Sequence, residues 1–128
     1  MANLNDKLAL FSKHWSPRPI GRLNDDALKV VKVQGELVWH QHDDTDEVCL
    51  VLDGELTIDL PDTTIVLGPR ETLTIPQGVQ HRPRAQRETT MLLIEPADMI
   101  HTGETGGDLT AIPQALQPGM TQLMLHRL

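Results

Sequence analysis

His40 and His42 stand two residues apart in a stretch, 36–42, that reads as a β-strand. Alternate side chains of a strand share a face, so both imidazoles project to one side, which suits chelation. Glu47 follows across the acidic loop Asp43-Asp44-Thr45-Asp46 and opens a strand able to pair antiparallel with the first, bringing its carboxylate beside the two rings. His81 arrives after Pro76-Gln77-Gly78, a turn that can place a further strand across from them. Three imidazole nitrogens and one carboxylate oxygen form an intermediate to hard donor set. It suits one divalent transition-metal ion among iron, manganese, nickel, cobalt and zinc, and an octahedral site would keep two positions open for water, dioxygen or substrate. A His-x-His pair taken alone more often marks separate surface or core histidines, so the elements around it carry weight.

Those elements read as β-structure. Between Ala27 and Glu95 the chain predicts strands at 28–34, 36–42, 47–52, 55–60, 63–67, 72–75, 81–85 and 91–95, separated by turn residues. Asp53-Gly54 carries the strongest hairpin signal, and Pro61-Asp62, Gly68-Pro69 and Pro76-Gln77-Gly78 punctuate the rest. No central stretch would hold a long helix, so an antiparallel barrel follows. Ahead of it, Leu4, Leu8 and Phe11 are spaced for a short helix over 3–11 begun at Asn3 or Asn5, and Ser16-Pro17-Arg18-Pro19 reads as an extended, turn-like entry. The organisation is thus an N-terminal arm at 1–26, a barrel at 27–100 and a C-terminal arm at 101–128, whose apolar end from Met120 to Leu125 has something to bury. Strand parity turns Val38, Cys49, Val51 and Pro83 inward with the candidate ligands, and Trp39, Gln41, Arg82 and Arg84 outward. Glu95 ends a strand apolar on both faces, so parity does not orient it.

Composition narrows the function. A chain of 128 residues, 39% hydrophobic and 23% charged, has room for one domain. A net charge of −7 opposes nucleic-acid binding, which calls for a basic face. No apolar run reaches the length of a membrane span, and the N-terminus lacks the pattern of a signal peptide, so the expectation is a cytoplasmic protein. The single Cys49 fits a reducing compartment. There is no tyrosine, and all four lysines precede residue 33, which removes phenol chemistry and any late Schiff-base lysine. No separate general base is evident beside the candidate ligands, and inward phosphate contacts for a sugar phosphate are not visible.

The spacing resembles the two motifs of the cupin superfamily. The first reads Gly35-ELVW-His40-Gln41-His42-DDTD-Glu47-VCLVLD-Gly54, one residue shorter than the family pattern after its first glycine. The second reads Gly68-PRETLTI-Pro76-Gln77-Gly78-VQ-His81, two residues longer before the proline, with Ala85 where the family has an asparagine that is not a ligand. The resemblance implies a double-stranded β-helix, or jelly-roll, barrel with the metal on His40, His42, Glu47 and His81 near its centre, and frequently a homodimer. Trp39 on an outer face and apolar residues in both arms also motivate a dimer. The chain looks like the short single-domain cupins named mannose-6-phosphate isomerase-like, although one fold hosts many functions. Two readings follow: a metal-dependent dioxygenase, or related lyase or isomerase, acting on a small organic molecule, and a non-catalytic module that binds or senses a metal or small ligand.

Overall fold

A computed structural model describes residues 1–99. Near the N-terminus Asn3 is extended and its side-chain oxygen accepts the backbone N–H of Asp6 at 3.0 Å, capping the short helix α1 (Leu4–Leu8). Five residues are too few to be helical alone. Tertiary packing holds them: Leu4 and Leu8 join Phe11, Ile20 and Leu92 over Val30 on the outer surface of the sheet.

Seven strands follow among the described residues: β1 (Arg18–Leu23), β2 (Asp26–Glu36), β3 (Glu47–Asp53), β4 (Leu56–Asp59), β5 (Thr64–Leu67), β6 (Thr72–Ile75) and β7 (Arg82–Pro96). Every pairing is antiparallel. The main path runs β1-β2-β7-β3-β6, and β4 joins it on β7 and carries β5. This is the all-β barrel with a short helix that the sequence predicts. Alternation sorts the strands as expected of a half-buried sheet: Val31 and Val33 of β2, Cys49 and Val51 of β3, Leu56 and Ile58 of β4, and Met91 and Leu93 of β7 form one inner cluster. Each such aliphatic side chain contributes roughly 1.5–3 kcal/mol by leaving water, so this layer holds the barrel closed. Trp15 joins the cluster, its indole N–H donating to the Gln34 carbonyl at 2.9 Å.

Four expectations are corrected. The stretch 36–42 is not a continuous strand, because β2 ends at Glu36 just after a bulge between Val33 and Gly35. Gly35 has φ +85°, a conformation that glycine adopts without steric cost, and it redirects the chain. Parity therefore fails beyond it, and Val38, expected inward, is 36% exposed. Second, 82–85 and 91–95 belong to one 15-residue strand, β7, whose middle residues 86–88 are exposed, and His81 stands just before it.

Third, Asp53-Gly54 does not close a hairpin. Both β3 and β4 pair with β7, Val48–Asp53 opposite Ile94–Thr90 and Thr57–Asp59 opposite Arg84–Arg82. The two strands are therefore successive parts of one bent run along β7, and Gly54 makes the corner. The hairpin at Pro61-Asp62 does form, joining β4 to β5 with the Leu60 N–H on the Thr63 carbonyl at 2.8 Å. Fourth, β1 was not expected to be a strand, since prolines at 17 and 19 and Gly21 lower its strand signal. It survives as an edge, where a proline need not donate, with its register shifting between Pro19 and Gly21. It pairs with β2 from within the segment 1–26. The expected C-terminal arm, 101–128, lies outside the described residues.

Candidate metal centre

The segment after Gly35 crosses to the segment before β7 through a short series of backbone bonds. Leu37 N–H donates to the Pro83 carbonyl at 3.0 Å, His40 and His81 exchange bonds of 3.0 and 2.9 Å, and Gly78 N–H donates to the His42 carbonyl at 2.7 Å. His40 and His81 thus sit directly opposite each other in an isolated antiparallel bridge. Asp46 secures the neighbouring turn, its carboxylate accepting the Gln77 N–H at 2.9 Å.

This scaffold brings His40, His42 and His81 together. All three are buried, and one ring nitrogen from each lies within 4.8 Å of those of the other two. Their ring centroids are 4.3 to 5.9 Å apart. Nδ1 of His40 lies 2.8 Å from the Val38 carbonyl, and Nδ1 of His81 lies 2.8 Å from the Val79 carbonyl. A carbonyl can only accept, so Nδ1 carries the proton in both rings and the lone pair rests on Nε2. That is the arrangement by which a backbone carbonyl orients a metal-ligating imidazole. Burial pushes the His81 pKa down to about 4, partly offset by its bond to Val79, so the ring is neutral and able to donate to a cation at ordinary pH. Its Nε2 is buried without a hydrogen-bond partner. The arrangement fits a divalent metal held through Nε2 of His40 and of His81, with one ring nitrogen of His42 within reach.

Glu47 opens β3 as expected and is buried at 1% exposure, but it is not part of the three-histidine cluster. Neither of its carboxylate oxygens has a hydrogen-bond partner. Burial raises its pKa well above the ordinary carboxylate value, repulsion by the Glu95 carboxylate adds to this, and Lys29 offsets part of it. A buried carboxylate lacking donors is costly unless a cation or proton meets it.

The pair behind Glu47 was missed at the sequence level. Lys29 of β2 and Glu95 of β7 are both fully buried, Nζ to Oε2 at 2.8 Å, and Nζ also reaches the Pro96 carbonyl at 3.3 Å. Burial brings the Glu95 pKa up to about 7, against the attraction of Lys29. The available signal was parity, because Lys29 shares a face with Val31 and Val33. Adjacent Val30 and Val31 obscured it by making both faces apolar.

Other residues fall where their chemistry allows. Cys49 is a buried core residue whose thiol is pushed up to about 12 by burial, so it is a packing group and not a thiolate. Pro83 is buried and Cys49 and Val51 face inward, as expected. Arg82 and Arg84 point away from the histidines onto Asp59, with contacts of 2.8 Å each to Oδ2. Arg84 and then Arg82 hold the Asp59 carboxyl far below its usual range. Trp39 is 38% exposed, its ring 5.5 Å from the Arg82 guanidinium. An open groove of about 820 Å³ lies among Gln34, Glu36, Glu55, Thr57, Arg84 and Arg87, none of them a candidate ligand. No helix among the described residues is long and apolar enough to cross a membrane.

The chain is similar in structure to a cupin-2 domain containing protein from Shewanella frigidimarina NCIMB 400, at 50% identity and a TM-score of 0.74, over 75% of this chain and 94% of that one. It is 42% identical over 77 residues to the uncharacterized protein YdbB of Bacillus subtilis (strain 168), over 59% of this chain and 68% of that protein. At 18% identity and a TM-score of 0.60 it shares its fold with hydroquinone 1,2-dioxygenase from Sphingomonas sp. TTNP3, over 70% of this chain and 71% of that one. The cupin domain itself matches residues 27–105, more than half of the sequence and every candidate ligand. The chain therefore belongs to the cupin family.

Proposed function

We propose that this protein is a single-domain cupin that binds one divalent metal ion through His40, His42, Glu47 and His81, and that it acts on a small organic molecule as a metal-dependent dioxygenase or a related lyase or isomerase. The observation that carries the reading is the convergence of three buried imidazoles, with ligand atoms within 4.8 Å of one another; the motif spacing adds Glu47, a buried carboxylate lacking a donor. An ion bound there would act as a Lewis acid toward substrate oxygens and, if iron, would bind dioxygen. The protein's part is to hold the rings through the Val38 and Val79 carbonyls and to exclude water with the apolar inner layer. The fold shared with hydroquinone 1,2-dioxygenase supports the oxygenase branch. A sugar-phosphate isomerase is not favoured, since Arg82 and Arg84 are engaged by Asp59.

The second reading, a non-catalytic binding or sensing module, is favoured by one observation. Beyond the candidate ligands, the fully buried charged groups among the described residues, Lys29 and Glu95, are bound to each other. The resemblance further implies a homodimer, to be tested by sedimentation velocity, and the lone buried Cys49 suits a cytoplasmic setting. The deciding experiment is elemental analysis of untagged protein, followed by oxygen uptake with small phenolic and related substrates. We expect one equivalent of metal, lost on substitution His42→Ala or His81→Ala. Protein that takes up none of iron, manganese, nickel, cobalt or zinc on reconstitution would refute the metal centre. Stoichiometric metal without turnover would favour the module.

A further inference from the structure

Among the described residues, two carboxylates, Glu47 and Glu95, and one ammonium, Lys29, are essentially inaccessible to water. One ammonium neutralises one carboxylate. The structure records which, since Nζ is 2.8 Å from Glu95 Oε2, whereas no donor reaches either Glu47 oxygen, whose nearest charged neighbour is the Glu95 carboxyl within hydrogen-bonding reach. The order of strands explains the choice. β7 lies between β2 and β3, pairing Ala27 with Glu95 on one side and Val48 with Ile94 on the other. Glu95 therefore stands between the strand that carries Lys29 and the strand that carries Glu47.

We propose that Glu95 is a positioning residue that holds the Lys29 ammonium off Glu47, so that the Glu47 carboxylate is left to a divalent cation on the three histidines. This rests on the ligand set proposed above. An ammonium turned onto Glu47 would satisfy that carboxylate with a buried ion pair and so compete with the metal. With Lys29 engaged elsewhere, the Glu47 carboxylate stays available to a cation held by the imidazoles, because an uncompensated buried charge is strongly unfavourable.

The test is titration of metal-free full-length protein with Co(II), read from its visible absorption bands, which report the number and kind of ligands. Glu95→Gln keeps the shape but holds the ammonium less strongly, and Co(II) affinity should fall about 10–100-fold, as for other residues that orient a ligand. Adding Lys29→Met to Glu95→Gln removes the competing ammonium and should restore both the affinity and the spectrum. A merely structural role predicts the opposite, with the double variant no better than the single one. If Glu95→Gln does not fold, Lys29→Met alone should bind Co(II) at least as tightly as wild type. Wild-type affinity in Glu95→Gln, a double variant as weak as Glu95→Gln, or weakened binding in Lys29→Met would each overturn the proposal while leaving the metal centre standing. Wild-type protein that binds no Co(II), or a Glu47→Gln variant that binds as tightly as wild type, would instead overturn the ligand set and this inference with it.

Discussion

His81 shows how burial tunes a single ring. Its folded-state pKa of about 4 lies below the ordinary 6.5, so between these values the unfolded chain binds a proton that the folded chain does not. The contribution of this ring to stability is therefore fully present above pH 6.5 and is lost as the pH falls toward 4, a loss of about 3 kcal/mol for a shift of this size. Glu95, whose pKa rises to about 7, acts in the opposite sense over part of the range, so the effect must be isolated by difference. In chelator-treated protein, the stability advantage of wild type over His81→Gln should shrink as the pH is lowered from 7 to 5, and an advantage independent of pH would refute the account. The three histidines that cluster were legible from type and spacing, whereas Glu47, read with them, opens β3 outside that cluster. Lys29 and Glu95 were not, because each lies in a strand that is apolar on both faces and only the pairing of β2 with β7 joins them.

At the scale of the elements, the bend between β3 and β4 governs how the barrel closes. Gly54 has φ +99°, and a Cβ built there would overlap the Thr89 hydroxyl and come within 2.8 Å of the Thr89 Cα. Thr89 in turn bonds the backbone of Glu55, accepting from its N–H and donating to its carbonyl, each at 3.1 Å. Gly54→Ala should therefore destabilise the protein by about 2 kcal/mol or more, combining left-handed strain with overpacking against backbone. Urea denaturation would measure it, and a change below about 0.5 kcal/mol, the range of an ordinary surface substitution, would contradict the reading. The sequence pattern located β3, β4, β5 and β6 to within a few residues, because their alternation and flanking turns are local signals. The use made of Asp53-Gly54 was not local. The same dipeptide serves a hairpin or a corner, and β7 decides between them by pairing on both sides of Gly54. Residues 37–42 likewise lost their strand to the bulge at Gly35, yet the backbone exchange between His40 and His81 preserved the convergence that parity had suggested for a different reason.

For the molecule as a whole, the candidate ligands tie together parts of the chain that are far apart in sequence. His40 and His42 follow β2, Glu47 opens β3, and His81 precedes β7, the strand that pairs with β2, β3 and β4. An ion on these groups would bind the folded barrel and not the unfolded chain, so metal binding is linked to folding. At a free metal concentration 100-fold above the dissociation constant, the native state should gain about 2.7 kcal/mol. For a chain of this size that corresponds to a rise in Tm on the order of 10 °C. Chelation should reverse the rise, and His42→Ala should abolish it while leaving the metal-free Tm close to that of metal-free wild type, since the variant loses a donor and little of the inner apolar layer. Differential scanning calorimetry across a metal titration distinguishes this from nonspecific ion effects. A shift of equal size in His42→Ala would show that the ion acts elsewhere, whereas a shift confined to wild type would mean that the barrel is completed energetically by an ion held at the histidine cluster.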